Sequence, residues 1–215
     1  SLARRLALLD WAERQDGWII EDDYDGEYRY SGTPLAPLAA LDRQGRVIYV
    51  GTFCKIAFPA LRLGYLVLPP ALAPLFAQRR ALDMRNSEIG TQVVMADFIA
   101  GGHFQRHIRR MRVAARSRRD ALLAAWPAQI PGCAPLPVVE AGLHLCVRVE
   151  TLQREAELVT AALAAGVEVT ALSGYWLADS ATPPDQRAGL VLGFAAVPEA
   201  QIDAAVQALR KAWGL

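Results

Sequence analysis

Two short and almost continuously apolar segments constrain the fold of this chain more than any other feature. They are residues 46–51 and 62–68, and each has the length and the Val, Ile, Leu and Tyr content of a buried strand. Strands that are apolar on both faces are typical of a sheet that helices cover on both sides. A shorter segment of the same kind, residues 18–20, predicts a further buried strand.

Helical periodicity surrounds these segments, with apolar residues recurring three and four positions apart. The pattern predicts helices over residues 2–15, 71–84, 87–101, 103–126, 151–165 and 198–213, and further strands at 143–149, 167–171 and 189–195. A proline-rich segment at 127–137 predicts a linker or a domain edge. Strand and helix alternate throughout, so the sequence predicts an α/β domain over residues 1–120 and a smaller α+β domain over residues 121–215.

Composition excludes several classes of protein. Hydrophobic residues make up 53% and charged residues 21% of the chain, which excludes an intrinsically disordered protein. No run approaches the roughly 18 apolar residues of a membrane-spanning helix, and the first residues lack a signal-peptide pattern. We therefore expect a cytoplasmic protein without a membrane partner. The formal net charge of +1 argues neither for nor against a nucleic-acid partner.

Neither a disulfide framework nor a metal site is predicted. Cys54, Cys133 and Cys146 are odd in number and lack the CxxC spacing of zinc sites. His103 and His107 lie four residues apart on one predicted helix, but the sequence places no third ligand near them.

The predicted helix over residues 103–126 also carries seven arginines between Arg106 and Arg119. An apolar stripe with helical spacing runs through the same helix. The arginines therefore favour a solvated, salt-bridged face over a patch that binds nucleic acid, although the second reading stays open.

Lysine is almost absent from the chain, and one lysine stands in an unusual place. Lys55 and Lys211 are the only lysines among 23 basic residues. Lys55 ends the segment GTFCK, which follows one apolar strand, and Asp22 follows another. Since ligands of open α/β sheets bind outside the carboxyl ends of the strands, we expect the acid and the lysine to face one ligand.

These residue types suit an aldehyde cofactor. A lysine that is partly withdrawn from water at a strand end is a nucleophile that forms a Schiff base with an aldehyde. If the aldehyde is pyridoxal 5'-phosphate (PLP), a carboxylate must keep its pyridine nitrogen protonated, and Asp22 suits that role. Tyr24 suits a hydrogen bond to the ring oxygen. The remaining candidates suit the phosphate, and they are Thr52, Arg62 and, as a further contact, Cys54.

Three motifs resemble those of a known family. Residues 20–30, IEDDYDGEYRY, look like the EDDYDxEyrY segment of the MocR/GabR-type transcriptional regulators of the GntR superfamily. Residues 50–65, VGTFCKIAFPALRLGY, resemble the GTFSKxxxPxLRLGY segment of the same regulators. Residues 107–122 are similar to a third family motif, HxRRMRxxYxxRRxxL, with Ala115 where tyrosine is usual. The similarity runs from about residue 1 to the C-terminus and is strongest over residues 19–69.

The resemblance implies the C-terminal part of a PLP-dependent, fold-type-I aminotransferase-like large domain, with helices on both sides of its sheet, over residues 1–120. A smaller α+β C-terminal domain is implied to follow over residues 121–215. It makes Lys55 the catalytic lysine that bonds to PLP. It makes Asp22 the partner of the pyridine nitrogen and Tyr24 the partner of the ring oxygen. It assigns Thr52 and Arg62 to the phosphate.

Two departures from the family pattern bear on activity. Cys54 stands where a serine is usual, which weakens one phosphate contact. Val191 stands where ordinary aminotransferases carry the arginine that binds the substrate carboxylate, and Arg187 is the nearest replacement for that arginine. The sequence therefore argues against efficient transamination.

The resemblance implies an effector domain of a transcriptional regulator. An amino compound would bind to PLP as an external aldimine and so change DNA binding by an N-terminal winged-helix domain. We expect that this chain is a fragment of the longer regulator and that the winged-helix domain lies outside it. A homodimer is implied, because each site of this fold type borrows residues from its partner. One alternative is a free-standing PLP-dependent class I/II aminotransferase. Another is a truncated domain without activity of its own.

Overall fold

The computed structural model describes residues 1–32, 36–84 and 89–215. Its helices are α1 (Leu2–Arg14), α2 (Leu38–Leu41), α3 (Ala73–Asp83), α4 (Gly90–Ala100), α5 (His103–Ala125), α6 (Leu152–Ala164) and α7 (Glu199–Ala212). Its strands are β1 (Ile19–Asp23), β2 (Val47–Thr52), β3 (Gly64–Val67), β4 (His144–Arg148), β5 (Thr170–Ala171) and β6 (Gly189–Gly193). The predicted α/β class is confirmed, and each predicted element appears within a few residues of its expected position. The predicted helix at 87–101 begins with two residues, 87–88, that lie outside the described residues.

The chain forms two compact units. The first consists of residues 1–27 and 32–109, and the second of residues 28–31 and 110–215. The predicted domain boundary at residue 120 falls inside α5, which begins in the first unit and ends in the second. The division into a large and a small domain stays a prediction.

The sheet of the first unit joins a parallel strand pair to an antiparallel hairpin. Its strand order is β1-β2-β3. Strands β1 and β2 run parallel with Asp22 opposite Val50, and β2 and β3 run antiparallel with Thr52 opposite Gly64. Because parallel strands end at the same edge of a sheet, the residues that follow β1 and β2 share that edge.

One face of this sheet packs against α1 and α2, and its opposite face is open in the described residues. The packed core comprises Ala12, Ile19 and Val47 with Leu9, Leu38 and Ala39. On the opposite face Ile20 is 71% and Leu66 is 49% exposed. The expectation of strands buried on both faces is therefore wrong for β1 and β3. Strand pairing satisfies backbone hydrogen-bonding groups whatever the side chains are. Strand β1 therefore extends to Asp23, beyond the apolar residues 18–20 from which the strand was predicted.

The second unit packs an antiparallel sheet, with strand order β4-β6-β5, against α6, and α7 packs against α6. Its fully buried side chains include Leu145, Val147, Leu158, Leu190, Phe194 and Val206. None of the helices in the described part of the chain combines the length and the apolar character of a membrane span.

The prediction that the arginines of α5 lie on a solvated face is wrong for Arg119. This residue is 8% exposed, its guanidinium lies 4.9 Å from the centre of the Tyr30 ring, and it donates a hydrogen bond to the Val139 carbonyl at 2.6 Å. Residue 119 is four positions after Ala115 and three before Leu122, both of which are buried. It therefore lies on the apolar stripe of the helix, where helical spacing alone places it.

The turn before β2 depends on one carboxylate. Asp42 accepts hydrogen bonds from four successive backbone N–H groups, those of Gln44, Gly45, Arg46 and Val47, at 2.6–3.1 Å. We predict that Asp42→Ala lowers the free energy of unfolding by about 2 kcal/mol, because these N–H groups lose their acceptor. Chemical denaturation measures this loss. Arg43→Ala, at the exposed neighbouring position, is the matched control and is expected to change stability by less than about 0.5 kcal/mol. Equal effects of the two substitutions would contradict the prediction.

Candidate functional site

The alternation of side chains along β1 separates its two terminal acids. Asp22 and Asp23 are successive residues, so their side chains lie on opposite faces of the sheet. Asp22 is exposed and shares its face with its register partner Val50 and with Thr52, two residues further along β2. Asp23 accepts a hydrogen bond from the Tyr49 hydroxyl at 2.9 Å on the other face. The sheet therefore presents Asp22, and not Asp23, on the face that carries Thr52.

An aromatic cluster supports the face that carries Asp23. The Tyr65 ring lies 6.1 Å from that of Tyr49 and 5.2 Å from that of Phe53. It covers Gly51, where a Cβ atom would overlap the ring. Burial, and after it the hydrogen bond and charge of Asp23, raise the pKa of Tyr49 far above its ordinary value, so its phenol stays a neutral donor. Sequence reasoning missed this cluster, although a tyrosine in an apolar strand needs a polar partner.

The residues after β2 form a loop that folds back onto the start of β3. The Leu63 carbonyl accepts a hydrogen bond from the Phe53 backbone N–H at 3.0 Å and from the Thr52 hydroxyl at 3.4 Å. The Cys54 sulfur lies 3.7 Å from the same carbonyl, and the Cys54 backbone N–H donates to the Thr52 hydroxyl at 3.1 Å. Since Arg62 directly precedes Leu63, the three residues predicted for a phosphate lie in one loop.

Arg62 has a strained backbone. It ends the 3-10 turn Pro59–Leu61 with a φ of 49°, in the left-handed region. This conformation costs a residue other than glycine about 1 kcal/mol, and strain of this kind clusters at functional sites. The side chain of Arg62 is exposed. An accessible guanidinium is therefore held at the loop despite a local energetic cost.

Lys55 and Tyr24 follow the ends of β2 and β1, respectively, and both are exposed. The expectation that the Lys55 side chain is partly withdrawn from water is therefore wrong, since Lys55 is exposed in the part of the chain that the structure describes. The physical reason is its place in a turn beyond the sheet, where the buried neighbour Ile56, 2% exposed, takes the inward position instead.

Arg187, the predicted ligand of a substrate carboxylate, belongs to the second unit. Its Nε donates to the Thr182 carbonyl at 2.7 Å and its Nη2 to the Ser180 carbonyl at 2.6 Å. Val191 pairs with Cys146 in the sheet of that unit. The role of Arg187 toward a substrate stays a prediction. Among the residues that the structure describes, no three His, Cys, Asp or Glu side chains form a group that could hold a metal ion.

Comparison with known proteins agrees with the motif resemblance. The chain is 36% identical over 209 residues to the probable rhizopine catabolism regulatory protein MocR of Rhizobium meliloti, a match that covers 97% of this chain and 41% of the relative. It is 37% identical over 194 residues to the HTH-type pyridoxine biosynthesis transcriptional regulator PdxR of Corynebacterium glutamicum, covering 89% of this chain and 40% of the relative. The chain thus spans about two fifths of the length of these curated relatives. No family model matches it.

The fold is that of the aminotransferases. A crystal structure of Pyrococcus horikoshii kynurenine aminotransferase in complex with PMP matches with a TM-score of 0.83 and 29% identity, covering 99% of this chain and 51% of that chain. The multiple substrate aminotransferase of Thermococcus profundus matches with a TM-score of 0.81 and 28% identity, covering 100% of this chain and 52% of that chain. The predicted aminotransferase-like α/β fold and the family resemblance are confirmed.

The surroundings of two cysteine thiols shift their pKa values in opposite directions. The Thr52 side chain, and then the backbone of Leu63 and Arg62, lower the pKa of Cys54, whereas burial raises the pKa of Cys133. Because the thiolate is the nucleophile, we predict that iodoacetamide alkylates Cys54 at lower pH than Cys133. Peptide mass spectrometry across a pH series measures both profiles. Thr52→Val should move the Cys54 profile to higher pH and leave that of Cys133 in place, and an unmoved Cys54 profile would contradict the assigned cause.

Proposed function

This chain is an aminotransferase-like segment related over almost all of its length to the MocR-type transcriptional regulators, and we propose that it holds PLP and binds an amino compound at that cofactor. In this proposal the bound amino compound changes DNA binding by a winged-helix domain outside these 215 residues. The relative PdxR is described as an HTH-type regulator, which supports the proposal. We further propose a homodimer, which sedimentation of the intact protein tests.

The parallel register of β1 and β2 is the observation that carries this proposal. Asp22 lies opposite Val50, so Thr52 lies on the same face of the sheet, about 7 Å further along the neighbouring strand. Lys55 follows in the next turn, beyond the edge where both strands end. A carboxylate, a hydroxyl and an amine thus stand at one sheet edge, which is where ligands of open α/β sheets bind.

The residues at this edge fit PLP by their chemistry. When bound, PLP supplies an aldehyde that condenses with amines and a protonated pyridine ring that withdraws electrons. Lys55 would be the residue whose amine holds the aldehyde, and an incoming amino compound would compete with it for that aldehyde. The Asp22 carboxylate would hold the proton on the pyridine nitrogen, and the Tyr24 phenol would donate a hydrogen bond to the ring oxygen.

The loop after β2 offers the donors that a phosphate needs. The Arg62 guanidinium supplies a permanent positive charge and a planar pair of donors. The hydroxyl of Thr52 and the thiol of Cys54 both contact the carbonyl of Leu63, the residue that follows this arginine in the chain. The site therefore pairs a carboxylate for the pyridinium with a cation for the phosphate.

The two lysines of the chain make the cofactor assignment testable. Lys55 and Lys211 are both exposed, so accessibility alone does not restrict labelling to one of them. We predict that PLP followed by borohydride places a phosphopyridoxyl group on Lys55 and leaves Lys211 unlabelled, because PLP is held only beside Lys55. Peptide mass spectrometry of the protein that carries this sequence measures both sites. Equal labelling of the two lysines would overturn the assignment, and Lys55→Arg should abolish saturable binding of PLP.

The strained Arg62 allows its role in binding to be separated from its role in folding. We predict that Arg62→Gly weakens PLP binding about tenfold or more through loss of a charge-assisted contact. The same substitution should keep or raise the melting temperature, because glycine adopts the left-handed region without strain. Titrations with PLP and with pyridoxal, which lacks the phosphate, measure the effect. Equal losses for the two compounds would show that Arg62 does not serve the phosphate.

Transamination at the same site is a second candidate function, which the similarity to kynurenine aminotransferase favours. The Lys55 amine, once displaced, is a base that can take the Cα proton of a bound amino acid. Incubation of the PLP-loaded protein with amino acids distinguishes the two candidates. Stoichiometric appearance of PMP and a keto acid supports transamination, and its absence with retained amine binding supports a sensor.

A further inference from the structure

The turn that carries Lys55 is defined by its backbone. We call residues 53–57 the Lys55 turn. The Ala57 N–H donates to the Phe53 carbonyl at 2.8 Å and closes the turn, and the Phe53 N–H donates to the Leu63 carbonyl at 3.0 Å. The second bond ties the start of the turn to the residue before β3. Neither of these two bonds involves the Ile56 carbonyl, which lies near the end of the turn.

Helix α5 contacts both ends of the Lys55 turn. The Phe104 ring packs edge-on against the Phe53 ring, with 5.7 Å between ring centres. His107 lies three residues later, on the same face of the helix, and its Nε2 is 2.6 Å from the Ile56 carbonyl oxygen. Phe53 and Ile56 flank Cys54 and Lys55 in the chain. Two residues of one helix therefore bracket the lysine.

The bond from His107 is directional and protected from water. A carbonyl oxygen can only accept, so Nε2 of His107 carries the proton. Ile56 is 2% exposed. Removing the donor to a backbone carbonyl at such a buried position lowers the stability of the folded protein, because the carbonyl is left without a partner. The His107 ring also packs edge-on against Phe98, with 6.3 Å between ring centres. That contact restricts the ring and keeps the donor aimed at the turn.

We propose that His107 is a positioning residue for Lys55. By holding the Ile56 carbonyl it fixes the backbone from which the Lys55 amine extends. The Lys55 side chain extends from this turn, so a backbone held in one conformation limits the positions that the amine can reach. The inference rests on the proposed function, in which that amine bonds to PLP.

His103 provides a matched control on the same helix. It lies one helical turn before His107, and its ring stacks on Phe98 with 5.9 Å between ring centres and an interplanar angle of 9°. Its Nδ1 lies 2.8 Å from the Arg106 guanidinium. It shares the residue type, the helix and an aromatic neighbour with His107 but does not bond to the Lys55 turn.

The first test requires no cofactor. Hydrogen exchange of the Ala57 amide is measured by NMR in the protein that carries this sequence and in its His107→Leu, His107→Gln and His103→Leu variants. His107→Leu should accelerate exchange at Ala57 about tenfold relative to the amides of β2, through loss of one hydrogen bond. His107→Gln, whose side-chain amide donates at the same place, and His103→Leu should stay near the unsubstituted protein. Unchanged exchange in His107→Leu overturns the proposal.

The second test measures the PLP concentration that half-labels Lys55 in the borohydride experiment. We expect a rise of about five- to tenfold in His107→Leu, near-normal values in His107→Gln and His103→Leu, and no change at Lys211. If Lys55 is labelled equally in His107→Leu and the unsubstituted protein, the positioning role is wrong and the proposed function stands. If Lys55 is never labelled, the proposed function fails, and Ala57 exchange alone decides whether His107 holds the turn.

Discussion

The parallel hydrogen bonding between β1 and β2 is the constraint on which the candidate site depends. It fixes Asp22 opposite Val50, which sets the face and the edge at which Thr52 and the Lys55 turn emerge. A shift of one residue would turn Asp23 to that face and Asp22 to the aromatic cluster. The Tyr49–Asp23 hydrogen bond opposes that shift, because it gives Asp23 a partner on the face that it occupies.

Beyond the strands, the site is built by backbone contacts around exposed side chains. The Leu63 carbonyl accepts a hydrogen bond from the backbone at the start of the Lys55 turn, and His107 of α5 bonds to the Ile56 carbonyl near its end. Arg62 is held in a conformation that costs it energy. Proposed ligand-binding groups can therefore be accessible and still well placed, because the backbone that carries them is tied at several points.

Local sequence patterns predicted most elements but assigned burial less well. Helical spacing located α5, α6 and α7 because their apolar stripes bury against neighbours. The same reasoning treated residues 18–20 as buried, whereas Ile20 is largely exposed, since exposure depends on what covers each face. The four bonds of Asp42 and the contact of His107 were missed because they join a side chain to backbone groups that a pattern of residue types does not reveal.

The sequence by itself determined the α/β class, the family resemblance and the residues proposed to hold PLP. Motif spacing and residue chemistry carry that information without coordinates. Tertiary structure alone decided that Asp22, and not Asp23, shares a face with Thr52, that Lys55 is exposed, and that His107 reaches the Ile56 carbonyl. Register, exposure and contacts across many residues depend on how separate elements pack, and packing is a property of the whole chain that no local pattern encodes.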